Sequence, residues 1–326
     1  MTKQPSSAKV VHTLVHCVLV VALAAPIFAH ALVGGAGPDP NTANSPWAGV
    51  GSLNVGGQQF TAAVIAPGYV LTAAHVLVGS NPKDVSFQLN AGTAESVAAT
   101  QIFFNPSYTG TTAGNVSTDP TVHADLAIVR LASTTSVGVP NYGLYAGNLL
   151  GQDLSFVSYA GSSTTKRTGE NTADVVFADA AGLAQTYLFD FDGPDLSTNR
   201  LGFNTPTNGT LGANREASLI GGDSGSSAFI QVQGQWQLAG VNTFQASFGE
   251  GPATGGAFGT GGGGVVVSSY APWINRVIAT AVPEPQIWAM LMAGLLLTTF
   301  GGARRQQPAD LTTPCRRWPA LAQAQH

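Results

Sequence analysis

Cysteine is nearly absent: there are two in 326 residues, Cys17 and Cys315, one near each end of the chain. The long stretch between them can hold no disulfide, and metal sites built from cysteine are excluded. A chain of this size can still bury enough apolar surface to be stable without covalent staples. Charge is also scarce, with Asp, Glu, Lys and Arg making up 9% of the residues. The seven basic residues between positions 32 and 281 are scattered, and no basic patch interleaved with aromatics forms, which excludes nucleic acid as a partner. Long amphipathic helical periodicity is missing until Tyr270–Ala281, where Trp273, Ile274, Val277 and Ile278 fall on one face. No internal repeat occurs, which removes solenoids and propellers.

What is present begins with two hydrophobic end segments. Lys3 and Lys9 precede an apolar run, Val18–Phe28, and Ala29-His30-Ala31 has the small-x-small form of an export cleavage site. Residues 1–31 therefore read as a signal peptide, and cutting there leaves Leu32 first. The run is too short to favour a membrane span or a buried helix. At the other end, Val282-Pro283-Glu284-Pro285 leads into the apolar segment Ile287–Ala303 and then Arg304-Arg305. That segment is just long enough for a short transmembrane helix, with the arginines held on the cytoplasmic side. Residues 282–305 resemble the PEP-CTERM sorting signal of Gram-negative bacteria. The resemblance implies an exosortase-type processing enzyme, contact with the membrane until processing, and delivery to the cell envelope, surface or exterior. Such signals end at the basic cluster, whereas this chain continues through 306–326, a tail expected to be disordered. A persistently anchored protein is the alternative.

Between these ends, Gly, Ser, Thr, Asn and Val dominate, and short apolar stretches alternate with turn formers, the pattern of an all-β protein. Expected strands include Phe60–Ile65, Tyr69–Leu71, Val85–Leu89, Leu126–Leu131, Leu154–Tyr159, Ala228–Val232 and Gln235–Val241. Ala132–Asn148 is punctuated by Gly, Pro and Ser-Thr and reads as the connection between two halves. Phe244–Gly264 is glycine-rich and reads as a mobile surface loop. It is not a phosphate cradle, because no helix start follows it.

Three short motifs carry chemistry. In Gly222-Asp223-Ser224-Gly225, glycines flank a serine and permit a tight turn that gathers backbone N–H groups into one pocket. On that reading the amides of Gly222 and Ser224 would receive an oxyanion, although the tetrapeptide alone could equally be an ordinary β-turn. Thr72-Ala73-Ala74-His75 ends a β-rich run, and its two small residues let a turn pack behind the imidazole. A lone histidine there is more often a structural group. Asp125 opens the apolar strand Leu126–Leu131, an expensive place for a charge unless it accepts hydrogen bonds. Donation from His75 Nδ1 would satisfy it; otherwise Asp125 is an exposed turn residue beside His123.

Together and in this order, the three motifs resemble the trypsin and chymotrypsin family of serine proteases, over nearly all of residues 32–281. The resemblance implies two six-stranded antiparallel β-barrels, about 32–140 and 141–281, closed by a C-terminal helix. It also implies hydrolysis of peptide bonds in protein or peptide substrates, with His75 as general base, Asp125 as its orienter and Ser224 as nucleophile. Leu32-Val33-Gly34-Gly35 resembles the start of activated family members, whose new ammonium pairs with the aspartate before the nucleophile, here Asp223. Signal peptidase would then create the active form directly. Val76 and Ile220 stand where many relatives carry half-cystines, in keeping with a cysteine-free domain. Alignment to the family assigns the specificity pocket to Ser218, Thr243, Gln245 and Gly264. A neutral Ser218 there implies apolar or small side chains next to the scissile bond. No metal or organic cofactor is implied. The rival from another class is a catalytically silent surface binding protein that keeps the fold.

Overall fold

A computed structural model describes residues 32–280 apart from 111–123, 137, 161–163, 203–209, 250 and 252–254. The signal-peptide and sorting-segment readings, the 306–326 tail and His123 lie outside the described residues. The chain divides after Trp273 into two units, residues 1–273 and 274–326. The architecture that follows belongs to the described part of the first.

Two short strands open it, β1 (Val33–Gly34) and β2 (Gly37–Pro38), followed by β3 (Val50–Val55), β4 (Gln58–Ala66), β5 (Tyr69–Thr72), β6 (Val85–Ala91), β7 (Thr93–Phe104) and β8 (Ala127–Leu131). β3 to β8 close into a six-stranded antiparallel barrel in the order β3-β4-β5-β8-β7-β6. Turn chemistry fixes its register. Gly56 and Gly57 both take positive φ, 58° and 91°, as a two-residue hairpin between the paired Val55 and Gln58 requires. Pro67 and Gly68 (φ 76°) turn the chain between Ala66 and Tyr69. Val50, Leu53, Val64, Leu71, Phe87 and Ile128 fill the interior without solvent exposure.

The described residues between 132 and 148 carry no strand. The second half holds β9 (Asp153–Ser158), β10 (Arg167–Thr172), β11 (Val175–Ala178), β12 (Ala184–Asp190), β13 (Ala217–Ser218), β14 (Ser227–Val232), β15 (Gln235–Ser247) and β16 (Thr260–Val266). Seven of these, with β2, form one antiparallel sheet in the order β11-β12-β16-β15-β14-β9-β10-β2, and β13 pairs with β1. β10 and β12 share no ladder. The buried Asn171 amide of β10 instead donates to Asp190 O at 2.7 Å and Ala217 O at 2.9 Å, drawing β10, β12 and β13 together. The all-β class, a closed six-stranded barrel and, among the described residues, one short C-terminal helix, α1 (Ala271–Thr280), which runs across the boundary between the two units, are as expected.

The glycine-rich stretch is not a loop at its ends: Phe244–Ser247 belongs to β15 and Thr260–Gly264 to β16. Gly261–Gly264 forms the middle of β16, fully buried between β12 and β15. Side chains would not fit there: a Cβ on Gly263 would meet the Phe244 ring at 2.5 Å and collide with Tyr187 O. A Cβ along this strand would collide with backbone carbonyls of Phe189, Tyr187 and Val241 and crowd side chains of the neighbouring strands, which composition alone cannot reveal.

The halves meet through Trp47, whose ring lies 5.1 Å from Phe229 and 4.6 Å from Trp236. Tyr142, in the connection, packs 4.6 Å from Phe229 and donates its hydroxyl to Pro46 O at 2.8 Å. Lys166 is fully buried, donating to Trp47 O at 2.8 Å and pairing with Asp39 at 3.2 Å. Burial holds its ammonium below the usual lysine range, with the Asp39 charge opposing that shift.

Candidate active site

The antiparallel ladder of β5 and β8 places the first two residues. Thr72 pairs with Ala127, so the chain leaving β5 at Ala73 runs past the chain arriving at β8. Ala73 and Ala74 are wholly buried and let a 3-10 turn begin at His75 immediately after the strand. Asp125 stands two residues before β8, 5% exposed, and its carboxylate bridges the gap. One oxygen accepts the His75 backbone N–H at 2.8 Å, and the other lies 2.6 Å from His75 Nδ1. A buried carboxylate that would be costly alone is satisfied by one residue fifty positions away.

Ser224 comes from the other half, in the turn between β13 and β14. Its hydroxyl lies 2.7 Å from His75 Nε2. Two positive-φ glycines shape that turn, Gly222 (99°) and Gly225 (82°). At Gly225 a side chain would be driven into Thr61 O and Thr72 Oγ1, so the turn sits directly against the first barrel. Thr61 is the node between the halves. Its N–H donates to Ser224 O at 3.4 Å, and its hydroxyl accepts from Tyr159 N at 2.8 Å. The amides of Asp223, Gly225 and Ser226 are used on the carbonyls of Ile220, Asn242 and Asp223. Those of Gly222 and Ser224 have no acceptor among the described residues.

Asp223 is 1% exposed and turns away from the cleft toward Leu32. The Leu32 nitrogen lies 3.3 Å from each of its oxygens, Ser158 Oγ donates at 2.6 Å, and Ile220 N donates at 2.7 Å. Burial raises this carboxyl to about 7, against the opposing effect of its hydrogen bonds. Sequence reasoning did not find Ser158 or Thr61. Each is an ordinary polar residue of a strand, and only the approach of a distant segment gives it a role.

Beside Ser224 lies a pocket of about 190 Å³ between Leu219–Gly221 and Asn242–Gln245. Thr243 and Gln245 line it, and the Gln245 amide donates to Leu219 O at 3.0 Å. Ser218 and Gly264 do not line it. Ser218 is buried in β13, paired with Val33, one residue short of the wall that Leu219 begins. The β15–β16 register sets Gly262 opposite Gln245, while Gly264 pairs with Asn242 and leaves room for the Tyr187 hydroxyl. A bulge between Asn242 and Phe244 shifts this pairing, and no sequence signal marks it.

The two β halves bring Asp125, His75 and Ser224 into one hydrogen-bonded line, an arrangement of the kind that nucleophilic hydrolysis uses. The family model described as Trypsin matches residues 33–274, so the chain belongs to the trypsin family. Its function is accordingly of the serine-protease type, and its substrates are proteins or peptides. No curated protein matches the chain as a relative.

Proposed function

We propose that the protein is an exported serine endopeptidase working through an acyl-enzyme. The observation that carries the reading is the continuous line Asp125–His75–Ser224, with separations of 2.6 and 2.7 Å. His75 takes the Ser224 proton as the oxygen attacks the scissile carbonyl, and Asp125 holds the imidazole and offsets its new positive charge. The oxyanion is received by the amides of Gly222 and Ser224. His75 then passes the proton to the leaving amine, and a water activated by the same imidazole releases the acyl group. Labelling with a serine-directed fluorophosphonate tests this. Wild type should take up one equivalent and Ser224→Ala none, with unchanged thermal unfolding. A folded wild-type protein that resists labelling would instead favour the silent binding protein.

The pocket beside Ser224 favours apolar or small side chains next to the scissile bond, because Leu219, Ile220 and Phe244 line it and Gln245 spans it. Its one carboxylate, Asp223, is already engaged by Ser158 and Ile220.

Export sets the active form. Signal-peptide removal before Leu32 leaves an ammonium where a nitrogen already lies 3.3 Å from both Asp223 oxygens. A positive charge there lowers the carboxyl that burial, against its hydrogen bonds, raises to about 7. The C-terminal segment directs the protein through the membrane and an exosortase-type enzyme to the envelope, surface or exterior of a Gram-negative cell. Mass measurement of the mature protein, with its first residue at Leu32 and its end near the Pro-Glu-Pro motif, tests both cuts.

A further inference from the structure

A second and larger cavity, about 590 Å³, lies beside the β1–β13 ribbon and takes no part in the chemistry above. Phe191, Pro194 and Phe258 supply apolar wall, Gly34 of β1 borders it, and two carboxylates, Asp192 and Glu216, enter it. The phenyl rings of Phe191 and Phe258 lie 4.6 Å apart, tilted by 35°. Asp192 is 6% exposed, yet its Oδ1 is buried without a hydrogen-bond partner among the described residues. Glu216 is 4% exposed and accepts Leu211 N at 2.7 Å. Among the described residues, no lysine or arginine nitrogen lies within ion-pair distance of either carboxylate.

Burial and the neighbouring Asp190 push Asp192 up to about 7. Burial first, then the charges of Asp192 and Asp190, push Glu216 up to about 8. Asp190 itself sits against Asp174, another raised carboxyl. Arg167 donates to Gly34 O at 3.4 Å and Arg200 lies beside Gly251, and neither forms an ion pair with Asp192 or Glu216 among the described residues. Two buried acids facing a cavity without a counter-charge are stabilised by an incoming cation. A bare metal ion does not fit the donor set, since no group of three metal-ligating side chains is assembled among the described residues. Aromatic and aliphatic walls suit a cation that carries an apolar body.

We propose that this cavity binds an amphipathic organic cation, with its ammonium or guanidinium group on Asp192 and Glu216 and its apolar body against Phe191 and Phe258. The site communicates with the cleft through β13. Glu216 O accepts Gly35 N at 2.7 Å, and the chain runs from Glu216 through β13 to the turn that carries Ser224. An occupant therefore also braces the ribbon that brings Leu32 to Asp223.

Calorimetric titration of the full-length protein with phenethylamine, against 2-phenylethanol as the neutral isostere, tests the proposal. The amine should bind once and at least about tenfold tighter than the alcohol at pH 8. Its affinity should rise from pH 6 to 8.5 as Asp192 and Glu216 ionise. Asp192→Asn should weaken it about tenfold or more, and so should Phe258→Ala, a change at a half-exposed ring that spares the fold. Gln245→Ala, in the pocket beside Ser224, should leave it unchanged. Equal binding of the alcohol, loss of binding through Gln245→Ala in place of Asp192→Asn, or no saturable binding of the amine would overturn the proposal. None of these readouts depends on turnover.

Discussion

Gly225 shows how far a single residue can matter. Its φ of 82° disfavours any side chain, and a Cβ would be driven into Thr61 O and Thr72 Oγ1. Gly225→Ala should cost roughly 2–4 kcal/mol by chemical denaturation. It should also reduce activity more than it reduces the folded fraction, because the turn that aims Ser224 must move. Asp125→Asn probes the other end of the line. Asparagine keeps the shape of the carboxylate but favours the wrong imidazole tautomer, so kcat should fall roughly 10,000-fold with the fold intact. A fall of less than about tenfold would remove Asp125 from the proposed mechanism. These residues were legible in the sequence because each sits in a short motif whose neighbours are small or apolar for a stated reason. Ser158, Thr61 and the Gln245–Leu219 contact were not, since nothing local distinguishes them.

At the scale of strands, the readable elements were those with a plain apolar run, such as β5, β8 and β14. β10 (Arg-Thr-Gly-Glu-Asn-Thr) escaped notice because its residues are polar, yet Asn171 uses that polarity to join β12 and β13. β16 escaped because four glycines read as flexibility, whereas the close backbone and side chains of adjacent strands make glycine necessary there. Gly263→Ala should destabilise by roughly 1–3 kcal/mol, since Tyr187 O and the Phe244 ring leave no space for a methyl group. Gly143→Ala, where nothing lies within 4 Å, should stay within about 0.5 kcal/mol. Equal effects in urea unfolding would contradict the packing account of β16. Resemblance to the family, not a local pattern, pointed to Thr243, Gln245 and Gly264, and the bulge in β15 sets Gly262 opposite Gln245 instead of Gly264.

The whole molecule carries an unusual set of buried carboxyls raised by burial: Asp174 and Glu216 to about 8, Asp192 and Asp223 to about 7. The folded state keeps protons that the unfolded chain releases near pH 4, so this contribution to stability is complete below that pH and is lost as pH rises through 7 to 8. Thermal unfolding should therefore fall by at least about 5 °C between pH 5 and 9. Asp174→Asn should flatten the profile, and a Tm that rises over the range would contradict the assignment. Asp223 leaves this set once a Leu32 ammonium sits beside it, which links stability to maturation. A protein carrying one extra residue before Leu32 should lose most of its activity while remaining folded by circular dichroism. Full activity in that protein would detach Asp223 from the oxyanion site. The central claim is that the three side chains brought together by the two halves form a covalent intermediate. Its most direct test is acid-quenched mass spectrometry of the protein mixed with an activated ester of an apolar amino acid. One acyl group should appear on the peptide containing Ser224 and be absent in His75→Ala; hydrolysis without any acyl adduct, or an adduct elsewhere in the chain, would contradict the mechanism.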